Sequence, residues 1–341
     1  MDAKRKMNHP IEQNLYQSIA NLVHQARQRV LQAINLTMVQ TYYEIGRMIV
    51  EDEQQGKERA EYGKNLLISL SQRLIHDFGK GFSKDNLENM RKFYLAYSKA
   101  ETVSRLSGNN PDFKLSWSHY VFLMRLNNIS ERQFYEIEAH QNNWSLRELK
   151  RQFDTGLFER LLLSKNKDKV QLLAKKGQLI QKPEDAVKDP YILEFLGFDE
   201  KTEYSESELE QKIIDKLEHF LLELGKGYTF VARQKRITLD ESHFYIDLVF
   251  YNRLLKAFVL VDLKIGSLKH QDLGQMMMYV NYYDRFEKTE DENKTIGIIL
   301  CRDKNNALVE VTLPEENRQI FASQYQTVLP SKEEFKHILQ E

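Results

Sequence analysis

The stretch whose reading decides the fold is Phe244–Asp284, FYIDLVFYNRLLKAFVLVDLKIGSLKHQDLGQMMMYVNYYD. It reads as strand, tight connection, strand, helix. Phe244–Tyr251 is apolar and aromatic except for Asp247, and Ala257–Ile265 is apolar except for Asp262 and Lys264. Runs this rich in Val, Ile, Leu, Phe and Tyr predict buried strands. A charge inside such a run is costly unless it is paired or binds an ion. Here there are three.

Their spacing points to a site. Strand side chains alternate faces, so Asp262 and Lys264 share one. With Arg253–Lys256 as a four-residue connection, Asn252 faces Ala257 and Asp247 faces Asp262. Two opposed carboxylates repel unless a cation sits between them. A hard cation such as Mg²⁺ takes carboxylate oxygens and keeps several waters, with Mn²⁺ as a substitute. Lys264 then projects beside the metal, placed to steady developing negative charge or an attacking water. A register slip of one residue would destroy the arrangement.

The following helix carries Gln275 and Tyr279, four apart and so on one face. Taken together, Ile246-Asp247, Asp262-Leu263-Lys264 and Gln275-xxx-Tyr279 resemble the PD-(D/E)xK nuclease superfamily. More narrowly, the chain is similar to the YhcG-like family of bacterial proteins, which join an N-terminal helical domain to such a nuclease domain. The runs GKGFS, MRKFY and LSWSHY and the segment around Trp144–Leu149 carry the likeness through the N-terminal half. The family pattern usually has Glu-Leu-Lys where this chain has Asp262-Leu263-Lys264. The resemblance implies an α+β mixed-sheet core in the order α-β-β-β-α-β, preceded by an all-α, helix-turn-helix-like domain. It implies metal-dependent hydrolysis of DNA, with Gln275 and Tyr279 orienting groups or substrate.

The whole chain has 341 residues, net charge −1, 41% hydrophobic and 29% charged residues. That describes a globular protein of two domains. No run approaches a membrane span, and no apolar segment follows the basic N-terminus, so no membrane or secretory route is expected. Cys301 is the single cysteine, and a buried thiol in a reducing cytoplasm is expected. There is no GxxxxGK[ST] run, so a motor, if one is needed, is a separate subunit. Residues 11–165 carry 21 basic against 18 acidic side chains, and residues 201–341 carry 19 against 24. That split leaves much of the phosphate binding to the first part.

Two domains and a connection follow: a helical domain at residues 11–165, offered for DNA binding, a linker and docking segment at 166–200, and a PD-(D/E)xK nuclease-like domain at 201–341. Leu15–Val50 shows apolar residues at helical spacing, and the polar segment Glu51–Glu61 is expected to break it. Asn65–Phe78 and Lys84–Tyr97 read as further helices, separated by Gly79–Phe82 and with Ser83 as an N-cap. Helix, glycine turn, helix is the outline of a helix-turn-helix, with Lys84, Asn86, Asn89, Arg91 and Lys92 offered for DNA. An ordinary helical hairpin has the same outline. His119 and Trp117 read as structural. Tyr191–Phe198 is apolar enough to dock on the C-terminal domain.

Ser205 and Glu208 match a capping box, opening a helix expected to run to Leu224 and end at Gly225. Glu208 being used as a cap, Glu210 is the candidate for the extra acid that the superfamily often places on its first helix. It would add to the metal shell or activate water. Tyr228–Leu239 reads as a strand carrying Arg233, Gln234, Lys235 and Arg236, with Gln234 placed to orient a site group and the basic residues to touch the phosphate backbone; an exposed edge face has the same pattern. Thr295–Cys301 and Val309–Leu313 read as strands, and Glu315–Phe321 and Pro330–Glu341 as helices, with Val311, Leu313 and Tyr325 packing. The expected activity is a metal-dependent DNA endonuclease. The alternative is a weak or inactive DNA-binding accessory protein of a restriction, repair or defence system. Homo-oligomers and separate partner subunits stay open.

Overall fold

The computed structural model describes residues 10–55, 60–98, 112–163, 170–198 and 203–329. The helix expected at Pro330–Glu341 lies outside them. The chain divides into two compact units, Met1–Arg132 and Gln133–Glu341.

The first unit is helical. α1 (Pro10–Gln55) and α3 (Lys84–Ser98) pack closely, with α2 (Ala60–Phe78) and α4 (Trp117–Leu123) alongside. Ile49, Leu67, Leu87 and Met90 form a core against which Tyr42, Ile45, Leu74 and Trp117 pack. Gly46 explains the close crossing: a Cβ there would lie 2.1 Å from the Met90 carbonyl oxygen. The break falls within Glu51–Glu61 as expected, but not at its start: α1 continues to Gln55, and a separate helix, α2, begins at Ala60. Glu51 pairs with Arg47 one turn earlier, and Glu53 pairs with Arg91 of α3. Described apolar residues nearer the start of α1 are exposed, Ile19 at 52% and Val30 at 59%, and the first buried one among those described is Val39.

The second unit is built on a six-stranded sheet in the order β1-β6-β5-β4-β3-β2. β2 (Tyr228–Leu239), β3 (Ser242–Asn252) and β4 (Ala257–Ser267) form an antiparallel meander. β5 (Ile296–Asp303), β6 (Ile320–Gln326) and the two-residue β1 (Tyr191–Ile192) continue it in parallel. α9 (Glu206–Asp215) and α10 (Leu217–Leu224) supply Leu209, Ile213, Phe220 and Leu224 to one core, with Leu248, Phe250, Val259 and Val261. α11 (His270–Tyr282) supplies Leu273, Met276 and Tyr279 to a second, with Val249, Leu260 and Ile299. The order helix, three strands, helix, strand agrees with the sequence reading.

Three details differ. The first helix breaks at Lys216, which leaves helical geometry (φ −118°, ψ 30°), so two short helices replace one. Gly225 does end the second, at φ 104°. Residues Asn306–Thr312 are a helix, α12, not a strand; Asn305 caps it by accepting from Leu308 N–H, and Val311 is 88% exposed. Residues Ile320–Gln326 are a strand rather than the end of a helix. Both differences have one cause. β6 lies parallel to β5, and parallel neighbours need a crossover connection, which α12 supplies. Leu313 and Tyr325 are buried as expected, and so is Cys301.

Tyr191–Phe198 docks as expected: Tyr191, Leu193, Leu196 and Phe198 are buried in the core on the α9–α10 side. Behind it lies a buried ionic cluster. Glu223 of α10 is 0% exposed and accepts from Arg160 of α7 (Leu157–Leu163), from Arg151 of α6 (Leu146–Asp154) and from Ile192 N–H. Lys188 Nζ donates to the Glu223 carbonyl.

Candidate active site

The hairpin folds in the register the charges require. Its ladder runs from Asn252↔Ala257 to Leu248↔Val261, which puts Asp247 and Asp262 at the next position. There the strands part. The Asp247 carboxylate reaches across and accepts the Leu263 N–H at 2.8 Å, replacing a lost ladder bond. Regular alternation also fails at this point: Ile246 packs on the α11 side and Leu248 on the α9–α10 side. Asp247 therefore occupies a fork between strands, not a regular position on a face.

Asp262 is only 2% exposed. Burial pushes its carboxyl up to about 7; the Asp247 carboxylate adds to the rise and Lys264 opposes it. Lys264 Nζ lies 2.8 Å from Asp262 Oδ2. That oxygen is fully buried and accepts no hydrogen bond of regular geometry from the described residues. Burial would lower the Lys264 ammonium, but the Asp262 charge outweighs it and raises it to about 12.

Glu210 is 4% exposed and joins the same centre. Its Oε1 accepts from Arg233 at 3.0 Å and its Oε2 from Gln234 Nε2 at 2.6 Å. The same Gln234 nitrogen donates to Asp247 Oδ1 at 3.0 Å. Tyr279 is fully buried and donates to the Tyr245 carbonyl, two residues before Asp247, at 2.8 Å. Gln275, half-buried, donates to the Tyr279 hydroxyl. This pair braces β3 from behind.

Two contacts were not evident from sequence. Glu206, the first residue of α9, lies 3.8 Å from Lys264 and accepts the Ile265 N–H at 3.4 Å. Arg233 is the counter-ion of Glu210. Neither carries a motif; both depend on how α9 lies against the sheet.

Among the described residues no group of three or more His, Cys, Asp or Glu forms a metal cage. Asp247 and Asp262 make a two-carboxylate set. That set, with a buried oxygen lacking a regular donor, fits a cation that keeps most of its waters, as Mg²⁺ does.

In the first unit, the side chains offered for DNA are partly engaged within the protein. Asn86 donates to the Gly81 carbonyl at 2.6 Å and accepts from Trp117 Nε1 at 2.9 Å. Arg91 pairs with Glu53 and Lys92 with Glu88. Lys84 and Asn89 are half-buried on the same helix. Ser83 caps α3 through Asn86 N–H, and His119 is buried against Ser116 Oγ.

A meander flanked by helices, with two acids and a lysine gathered where β3 leaves β4, defines the PD-(D/E)xK class of nuclease fold. Residues 184–340 match the family described as YhcG PDDEXK nuclease domain, and residues 18–160 match the DUF1016 N-terminal domain. The chain is 37% identical to the Escherichia coli (strain K12) protein entitled "Putative nuclease YhcG", over 94% of this chain and 91% of that protein. The chain belongs to the YhcG family of PDDEXK nucleases. Two solved structures also align. One is a repair endonuclease from Pyrococcus abyssi (16% identical, TM-score 0.25, 39% of this chain and 50% of that one). The other is an EndoMS–dsDNA complex (14% identical, TM-score 0.27, 40% of this chain and 51% of that one). Each alignment spans about half of the solved chain. Among the described residues no helix is long and apolar enough to cross a membrane.

Proposed function

We propose that this protein is a Mg²⁺-dependent hydrolase of DNA phosphodiester bonds, with Mn²⁺ able to replace Mg²⁺. The observation that carries the reading is Asp262: a carboxyl 2% exposed, raised by burial and by Asp247, and countered on its own strand by Lys264 alone. A fold does not keep two like charges together at a strand fork for stability. Asp247 and Asp262 would hold the metal, which when bound supplies a Lewis acid and a more acidic water. Lys264 is a compact cation beside the pair, suited to a scissile phosphate oxygen once a metal takes over Asp262. Glu210 and Gln234 fix Asp247, and Gln275 and Tyr279 fix the strand that bears it. On α3, Lys84, Asn89 and Lys92 would contact the DNA backbone in a helix-turn-helix arrangement, while Asn86 and Arg91 hold the helix in place.

The test is cleavage of linear, supercoiled and branched DNA with Mg²⁺, Mn²⁺ or EDTA, by wild type and Asp262→Ala. Metal-dependent cutting that the variant lacks is expected. Cutting that survives the substitution or EDTA would reject the site. Tight DNA binding without cutting by either protein would instead favour the accessory reading.

A further inference from the structure

The feature the proposed chemistry does not use is the backbone of Gln234. It sits at φ 45°, one of four non-glycine residues with positive φ among those described. A side chain there is strained, and such strain gathers at functional sites. β2 is also irregular a few residues earlier. The β2–β3 register shifts between Phe230 and Ala232, so Arg233 pairs with Leu248 and Lys235 with Ile246. Gln234 is thereby brought opposite Asp247. Without the bulge, its side chain would not reach that carboxylate.

The Gln234 amide then does something a charged group could not. Its two N–H donors go to two different carboxylates, Glu210 at 2.6 Å and Asp247 at 3.0 Å. It links them without neutralising either. Arg233 meanwhile takes the far oxygen of Glu210 at 3.0 Å, and its second donor goes to Gln211. Each carboxylate oxygen of Glu210 is thus already matched to a donor. Asp247 also has a donor on each oxygen, but both donors, Gln234 and the Leu263 N–H, are neutral, whereas Glu210 is neutralised by the Arg233 guanidinium.

We infer that Gln234 is a positioning residue, and that Glu210 serves the centre by anchoring Gln234 instead of by ligating metal. The relay runs from Arg233 through Glu210 and Gln234 to Asp247, and ends at the Leu263 N–H. The inference rests on the reading of Asp247 as a metal ligand, and it reassigns Glu210 within that site.

The test uses the full chain and Mn²⁺ alone, titrated by calorimetry, with amide hydrogen exchange at Leu263 in metal-free protein. Gln234→Gly is the informative variant, because glycine accepts positive φ freely and lacks the amide. It should fold, since the relieved backbone strain offsets part of the two hydrogen bonds lost. Its Mn²⁺ affinity should fall tenfold or more, the usual scale for losing a group that orients a ligand. Glu210→Ala should do the same; Arg233, 40% exposed, is not left as a buried orphan. The double variant should be no weaker than the weaker single one, since both remove one relay. Exchange at Leu263 should accelerate at least tenfold in both. Wild-type affinity in Gln234→Gly would overturn the relay, and so would losses that multiply in the double variant. If wild type neither binds Mn²⁺ nor cuts DNA, the nuclease reading fails. The Leu263 exchange then still decides the relay, and unchanged exchange in Gln234→Gly rejects it.

Discussion

Glu223 and Asp262 are both carboxylates buried in the same unit, at 0% and 2% exposure, and their surroundings are opposite. Burial alone would raise Glu223, but Arg160, Lys188 and Arg151 hold it down at about 2. Ile192 N–H adds a donor at 3.0 Å. Asp262 has Asp247 for a neighbour and Lys264 as the cation on its own strand, and it rises to about 7. One carboxylate is surrounded by donors and ties α6 and α7 to the sheet. The other is held beside a like charge. Burial of charge is therefore not the mark of the site; incomplete compensation is.

The comparison can be broken from either side. The largest effect should come from Glu223→Ala, which strands Arg160 at 0% side-chain exposure. Unpairing a buried ion typically costs about 3–5 kcal/mol, read here as a drop in the urea midpoint. A loss under 1 kcal/mol would show that the cluster is not the tie we describe.

Next in size is the pH dependence of the metal-free protein. The folded-state pKa of Asp262 is raised, so its contribution to stability is present below the ordinary carboxyl range and is lost as pH rises through about 7. Between pH 5 and pH 8 the wild type should lose on the order of 3 kcal/mol that Asp262→Asn keeps. Matching slopes for the two proteins would contradict the assignment. Lys264, raised to about 12, loses its contribution only far above this window.

Mg²⁺ should reverse that loss. At about 100 times its dissociation constant a bound ion stabilises by about 2.7 kcal/mol, and Asp262→Asn should gain almost none of it in a thermal melt. The smallest effect should be Lys188→Met. Burial lowers Lys188 to about 8, so above that pH the wild type already carries it largely neutral. Glu223 keeps Arg160, Arg151 and Ile192 N–H. A change of about 1 kcal/mol or less is expected at about pH 9.5, from the one donor lost.

Asp247, Asp262 and Lys264 were legible in the sequence because a charge in an apolar strand violates a local rule, and the four-residue connection fixed the register that sets Asp247 against Asp262; the fork at Asp247 was not legible. The Ser205–Glu208 capping box was legible for the same local reason, and both its hydrogen bonds form. Gln234 was legible as a residue that could orient a site group, but its bridge between two carboxylates was not, because a bulge elsewhere in β2 sets where it points. β6 was missed because parallel pairing is non-local, and Glu315–Phe321, which opens with two glutamates after Pro314, was read as a short helix running into it. Asn86 reads as a base-contacting side chain on α3 alone; its tie to Trp117 joins residues 31 apart in sequence.

The central claim is that the under-compensated carboxylate pair is the chemical centre. Its most direct test is the single-turnover cleavage rate of duplex DNA by Asp262→Asn in saturating Mg²⁺, alongside wild type and with folding verified by the urea midpoint. The account predicts a variant folded at least as stably as wild type at pH 8, cutting at least about a thousandfold more slowly, the scale of losing a group that stabilises transition-state charge. A folded Asp262→Asn that cuts at the wild-type rate would contradict it.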